Sequence, residues 1–119
     1  MKPLFVNYPK CSTCQKAKKW LEENGVEFDS RHIVENNPNK EELKKWIALS
    51  KEPIKKFFNT SGILYREMNL KEKVAEGNEE ELLDILSSNG MLVKRPLVVT
   101  KDNVLIGFKE DKWKAYFGK

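Results

Sequence analysis

The sequence has one histidine and two cysteines in 119 residues, and that scarcity narrows the chemistry at once. A zinc site needs about four soft or imidazole ligands, and His32 added to Cys11 and Cys14 falls short, so metal binding is disfavoured. Two cysteines three positions apart cannot form the disulfide framework of a small secreted scaffold. No apolar run approaches membrane-spanning length, and Leu4-Phe5-Val6 after Met1-Lys2-Pro3 is too short for a secretory h-region. A cytoplasmic location is therefore expected, in a compartment that keeps the thiols reduced. Glycine-rich phosphate loops and paired-carboxylate motifs are also missing. The 22 basic residues are interleaved with 18 acidic ones, for a net charge of +4, and no basic run carries aromatics between its charges. Direct nucleic-acid binding is thus disfavoured, while small oxyanions or an acidic protein surface suit the charge better.

With 39% hydrophobic and 34% charged residues, the chain has the composition of an ordinary globular protein. Its length suits one domain, residues 1–119. The most informative segment is Tyr8-Pro9-Lys10-Cys11-Ser12-Thr13-Cys14, which holds both cysteines where an apolar run gives way to a helical pattern. Only the thiolate is nucleophilic, and unpaired N–H groups at a helix N-terminus favour it. Lys10, Lys16, Lys18 and Lys19 are expected to add positive charge.

The pattern along the chain gives an order of elements. Leu4-Phe5-Val6 reads as a strand; Cys14, Ala17, Trp20 and Leu21 recur at helical spacing; and Asn24-Gly25 reads as a helix stop. Val26 and Phe28 alternate with Glu27 and Asp29, predicting a second strand. A helical insert spans about 39–90: Asn39 with Glu42, Asn69 with Glu72 and Asn78 with Glu81 each have the cap-then-Glu spacing of a helix start. Pro53 is expected to open a short helix through Phe57-Phe58, ending near Ser61-Gly62. Beyond Gly90, Leu97-Val98-Val99 and Val104-Leu105-Ile106 predict a hairpin, and Trp113, Tyr116 and Phe117 a closing helix. The order β-α-β, helical insert, β-β-α predicts an α/β, thioredoxin-like fold.

Arg95-Pro96 is the second informative pair. Proline belongs at a strand start, where no ladder hydrogen bond is lost. In the expected layout the preceding Arg95 lies near the cysteine loop, and its planar fork suits an oxyanion under attack by Cys11. Lys55 and Lys56 are candidates for a further cation facing that loop, and Ser12 for an additional oxyanion contact. Arg66 reads as a surface cation and His32 as a strand surface residue.

Taken together, Tyr8-Pro9-Lys10-Cys11, Lys16-Ala17-Lys18-Lys19-Trp20-Leu21, Phe57-Phe58-Asn59-Thr60-Ser61-Gly62, Tyr65-Arg66-Glu67 and Lys94-Arg95-Pro96-Leu97 make the whole chain resemble the arsenate reductase (ArsC) and Spx family. Within it, the likeness is greatest to the arsenate-reductase-related branch without assigned function. The resemblance implies a thiol oxidoreductase in which Cys11 attacks arsenate or a disulfide, with Arg95 and Lys55 holding the oxyanion. No bound cofactor is implied; glutathione with glutaredoxin, or thioredoxin, would be the external reductant. Lys55 stands where the reductases have an arginine, a third arginine near Phe108 is replaced by Lys109 at best, and Gln15 also stands where arginine is common. Cys14 is shared with Spx proteins and implies a resolving thiol and a Cys11–Cys14 disulfide. The alternative implied by the resemblance is an Spx-like redox-sensing regulator that binds the C-terminal domain of the RNA polymerase α subunit.

Overall fold

The computed structural model describes residues 2–119; Met1 lies outside the described residues. Strand β1 (Leu4–Asn7) leads through the cysteine loop into α1 (Ser12–Glu23), and β2 (Asp29–His32) follows. Helices α2 (Lys40–Ser50), α3 (Ile63–Glu67), α4 (Leu70–Glu76) and α5 (Glu79–Ser88) come next, with 3-10 turns at Ile54–Phe57 and Gly90–Leu92. Strands β3 (Leu97–Val99) and β4 (Val104–Ile106) and helix α6 (Glu110–Phe117) complete the chain. The sheet order is β2-β1-β3-β4, with β1 parallel to β2 and antiparallel to β3, and β3 antiparallel to β4. This mixed sheet, with α1 returning to a parallel strand, has the thioredoxin-like topology expected from the sequence.

The two-residue period of a strand sends alternate side chains to opposite faces, and here each face has its own core. Phe5, Val98 and Leu105 pack under α1 and α6 with Ala17, Trp20, Leu21 and Trp113. Val6, Leu97, Val99 and Val104 face the helical segment, meeting Leu43, Trp46, Leu83 and Leu86. Burying a large aliphatic or aromatic side chain contributes about 1.5–3 kcal/mol, so both faces hold the sheet in register. On the first face Trp113 is 1% exposed, its ring edge-on to Trp20 at 5.8 Å, and its Nε1 donates to the carbonyl of Gly107 at 3.1 Å.

Local starts and stops follow the sequence in part. Asn39 and Glu42 form a reciprocal capping box, and the Glu42 carboxylate also accepts from Arg31 Nη1 and Nη2, at 2.6 and 2.9 Å, tying α2 to β2. Asn78 accepts from the N–H of Glu81. Asn69 does not cap: it precedes α4 in the left-handed region, with φ of 53°, and its side chain makes no cap hydrogen bond. The second strand begins at Asp29, later than predicted, because Val26 and Phe28 instead fill the space beside Phe5 and Trp20 on the way into the sheet. The segment after Pro53 is a 3-10 turn that stops at Phe57, and a separate helix, α3, was not predicted. His32 ends β2 half-buried, its Nδ1 accepting the N–H groups of Val34 and Glu35 at 3.1 Å each. It thus lies on the strand as expected, with its imidazole tied to the chain that follows.

Gly90 records how closely the insert meets the sheet. A Cβ at that position would lie 1.9 Å from the carbonyl oxygen of Ile33, so only glycine lets the two backbones touch there.

Candidate functional site

Cys11 occupies the N-cap of α1, with extended backbone angles (φ −88°, ψ 121°), and Cys14 lies in the first turn, on the same side as the buried Ala17. The loop before them is closed by backbone and side chain alike. The N–H of Cys11 donates to the carbonyl of Tyr8 at 2.9 Å, and Gln15 Nε2 donates to that of Pro9 at 2.9 Å. Gln15 therefore braces the loop and adds no charge.

The two thiols are in unlike surroundings. Cys14 is 2% exposed. Burial pushes its thiol up to about 12, although the Tyr8 N–H donates to its Sγ at 3.5 Å. Cys11 is half-exposed. Burial raises its pKa too, but the N–H groups of Cys14 and Thr13, the Cys14 thiol and the guanidinium of Arg95 outweigh that and hold Cys11 below the ordinary thiol value. The lysines expected to do this, Lys10, Lys16, Lys18 and Lys19, are all exposed, and none is among the main causes of the shift. Helix amides act within about one turn, whereas exposed lysines are screened by water.

Arg95 reaches the loop from the start of β3, where the Arg95-Pro96 bond is cis. Its Nε and Nη1 are buried, yet have no hydrogen-bond partner among the described residues. Tyr8 covers the guanidinium, with Cζ 5.2 Å from the ring centroid, while the Tyr8 ring itself stands at 90° to the ring of His32, 5.7 Å away. Buried guanidinium nitrogens without an acceptor are costly unless an anion completes them. Lying beside a thiol biased toward the thiolate, these unused donors mark a candidate anion site.

Cys11 and Arg95 border a cleft of about 1050 Å³. Lys55 reaches the same cleft because the chain after its 3-10 turn pairs with the segment before β3: Phe58 bridges Val93, and the N–H of Lys94 donates to the carbonyl of Phe57 at 2.7 Å. Lys56, Lys94, Lys109 and Lys112 line it as well. Ser12 is exposed and does not border the cleft, where Thr13 takes its place. Arg66 is exposed and also lies outside it. Pro96 is buried next to the site, its carbonyl accepting the N–H of Gly107 at 2.8 Å.

Sequence reasoning missed Tyr8 as a functional residue. Its ring orients the arginine, and its amide contacts the second sulfur. An aromatic in the loop preceding the cysteines was the only available signal, and nothing in the spacing linked it to a residue 87 positions away.

A thioredoxin-like sheet, a CxxC pair at a helix N-terminus and an arginine before a cis proline define the class of chain. The ArsC family profile matches residues 6–116, and the chain belongs to that family. It is 56% identical over 109 residues, 92% of each sequence, to the uncharacterised protein YusI of Bacillus subtilis (strain 168). To the regulatory protein MgsR of the same organism it is 33% identical over 104 residues, covering 87% of this chain and 81% of MgsR. A solved ArsC-family-related protein from Bacteroides fragilis is 58% identical, with a TM-score of 0.94 over 97% of both chains.

Proposed function

We propose that this chain is a thiol-dependent oxidoreductase in which Cys11 is the nucleophile, Cys14 the resolving thiol, and Arg95 with Lys55 the clamp for a small oxyanion or the polarising charge beside a disulfide. The carrying observation is the pair of buried Arg95 donors, Nε and Nη1, that have no acceptor, next to a Cys11 whose pKa is lowered. The Cys11 thiolate attacks and forms a covalent adduct on its sulfur, expelling a protonated arsenate oxygen as water or one sulfur of a disulfide as a thiolate. Cys14 keeps its proton until that adduct exists, then gives it up and attacks the Cys11 sulfur, breaking the bond to the adduct, releasing arsenite or the second thiol with both electrons, and closing an intramolecular disulfide. Glutathione with glutaredoxin, or thioredoxin, would return the pair to dithiols.

The experiment is to incubate the reduced protein with arsenate, glutathione and glutaredoxin and to follow arsenite, with Cys11→Ser and Cys14→Ser alongside. Arsenite from the wild type that disappears with Cys11→Ser supports the oxyanion branch. No arsenite, but stoichiometric reduction of a neutral low-molecular-weight disulfide, leaves the disulfide branch alone standing. The absence of both reactions would overturn the enzymatic reading.

A second reading is a redox-sensing regulator, favoured by the likeness to MgsR and by two exposed large apolar side chains, Ile63 and Met68, at α3. Oxidation of the pair would alter the surface read by a partner, with the α C-terminal domain of RNA polymerase as the first to assay. No binding by either the dithiol or the disulfide form would eliminate it.

A further inference from the structure

The cleft is far larger than one tetrahedral oxyanion and differs in charge from the rest of the molecule. Lys55, Lys56, Lys94, Arg95, Lys109 and Lys112 border it against one carboxylate, Glu52. The chain as a whole has a net charge of +4. Its entire positive excess is thus gathered at this cleft, and the remaining surface is near neutrality. Anions would be steered here from solution.

One wall of the cleft is the edge of the sheet. β4 is an outer strand, and Asn103 through Gly107 all border the cleft. Thr100 pairs with Asn103 and Pro96 with Gly107 through backbone hydrogen bonds of 2.9 and 2.8 Å. By the alternation of an antiparallel ladder, the backbone groups of Val104 and Ile106 then face outward. Asn103 Oδ1 takes the N–H of Val104 at 2.8 Å, leaving the Ile106 end of the edge as the accessible part, and that end adjoins Pro96 and Arg95. Ile63, 67% exposed, and Leu64 also line the cleft. An open strand edge matches a polypeptide backbone, which a small oxyanion does not have. A cationic rim selects carboxylates, and an exposed apolar wall accepts one hydrophobic side chain.

Resting on the oxidoreductase reading above, we infer that the substrate is a disulfide in an extended, acidic polypeptide segment, which pairs with the β4 edge and sets its carboxylates over Lys55, Lys109 and Lys112. The Cys11 thiolate attacks one sulfur of that disulfide; its S–S bond breaks, and the other sulfur leaves as a thiolate that takes a proton. Cys14, giving up its proton, then attacks Cys11 and frees the second substrate sulfur, again protonated. Two electrons pass from the Cys11/Cys14 dithiol to the substrate, so one equivalent of reduced protein reduces one disulfide with no other reagent.

The test uses reduced full-length protein in single turnover, quenched and read by mass spectrometry, on peptide disulfides of equal length with flanking aspartates or flanking lysines, and on neutral hydroxyethyl disulfide. The acidic peptide should react at least about ten times faster than the basic one at low salt, with the advantage falling as salt rises. Lys109→Glu/Lys112→Glu should erase that preference, and N-methylation of alternate amides in the acidic peptide should slow it. Equal rates for the acidic and basic peptides, with hydroxyethyl disulfide reduced, would overturn this inference while leaving the chemistry intact. If none of the three disulfides is reduced, the oxidoreductase reading itself falls, and this inference with it.

Discussion

Replacing Arg95 with methionine should separate stability from function in an unusual direction. Methionine keeps much of the aliphatic stem but removes a charge and the two buried donors, Nε and Nη1, that have no acceptor. A buried donor left unsatisfied costs about 1–3 kcal/mol. Against the relief stands the contact with the Tyr8 ring at 5.2 Å, worth about 0.5–2 kcal/mol. The balance predicts a variant as stable as the wild type or up to about 2 kcal/mol more so in urea denaturation. Oxyanion affinity should move the other way. A charge-assisted hydrogen bond contributes about 1.5–3 kcal/mol, so calorimetric titration with arsenate should weaken about 10- to 100-fold. Tyr8→Leu is the companion: the cation remains but loses its cover, and affinity should fall by a few-fold only. A loss of more than about 2 kcal/mol of stability in Arg95→Met, or unchanged arsenate binding, would refute the argument that this guanidinium is held ready for an anion.

Alkylation by iodoacetamide should follow Cys11 alone, with a midpoint below the ordinary thiol value, while Cys14 stays unmodified in the native protein; Cys14→Ala, by removing a thiol that favours the Cys11 thiolate, should shift that midpoint upward. The same groups predict how stability varies with pH. Cys14, raised from 9.0 to about 12 in the folded state, contributes stability that is fully present below pH 9 and is lost as pH rises toward 12. Cys11, lowered by folding, contributes stability above the ordinary thiol value that is lost as pH falls through its folded pKa. Urea midpoints measured across this range should therefore decline on the alkaline side, and decline less in Cys14→Ala. Gly90→Ala should cost about 3 kcal/mol or more, because its Cβ would sit 1.9 Å from the Ile33 carbonyl and neither backbone can yield cheaply; an unchanged melting temperature would show that the contact is slack.

Local patterns determined much of this protein without help from distant residues. The apolar runs Leu4-Phe5-Val6, Leu97-Val98-Val99 and Val104-Leu105-Ile106 marked three strands of the sheet, and the 3.6-residue period placed Cys14, Ala17 and Leu21 on one side of α1, the buried one. Asn39 and Asn78 announced their helices, because a cap needs only its own side chain and the next turn. The position of Cys11 at a helix N-terminus was legible for the same reason. Tertiary structure decided the rest. Asn69 failed as a cap because the turn out of α3 required the left-handed backbone there, and no nearest-neighbour pattern encodes that path. Likewise, burial sets the raised Cys14 pKa, and for Cys11 burial is outweighed by the N–H groups of Cys14 and Thr13, the Cys14 thiol and, from far along the chain, Arg95, whereas the lysines beside the cysteines stayed in solvent. The joining of Cys11, Arg95, Lys55, Lys109 and the β4 edge around one cleft depends on strand pairing between segments remote in sequence. Such pairing is fixed by the packing of whole faces, which a single sequence reveals only as composition.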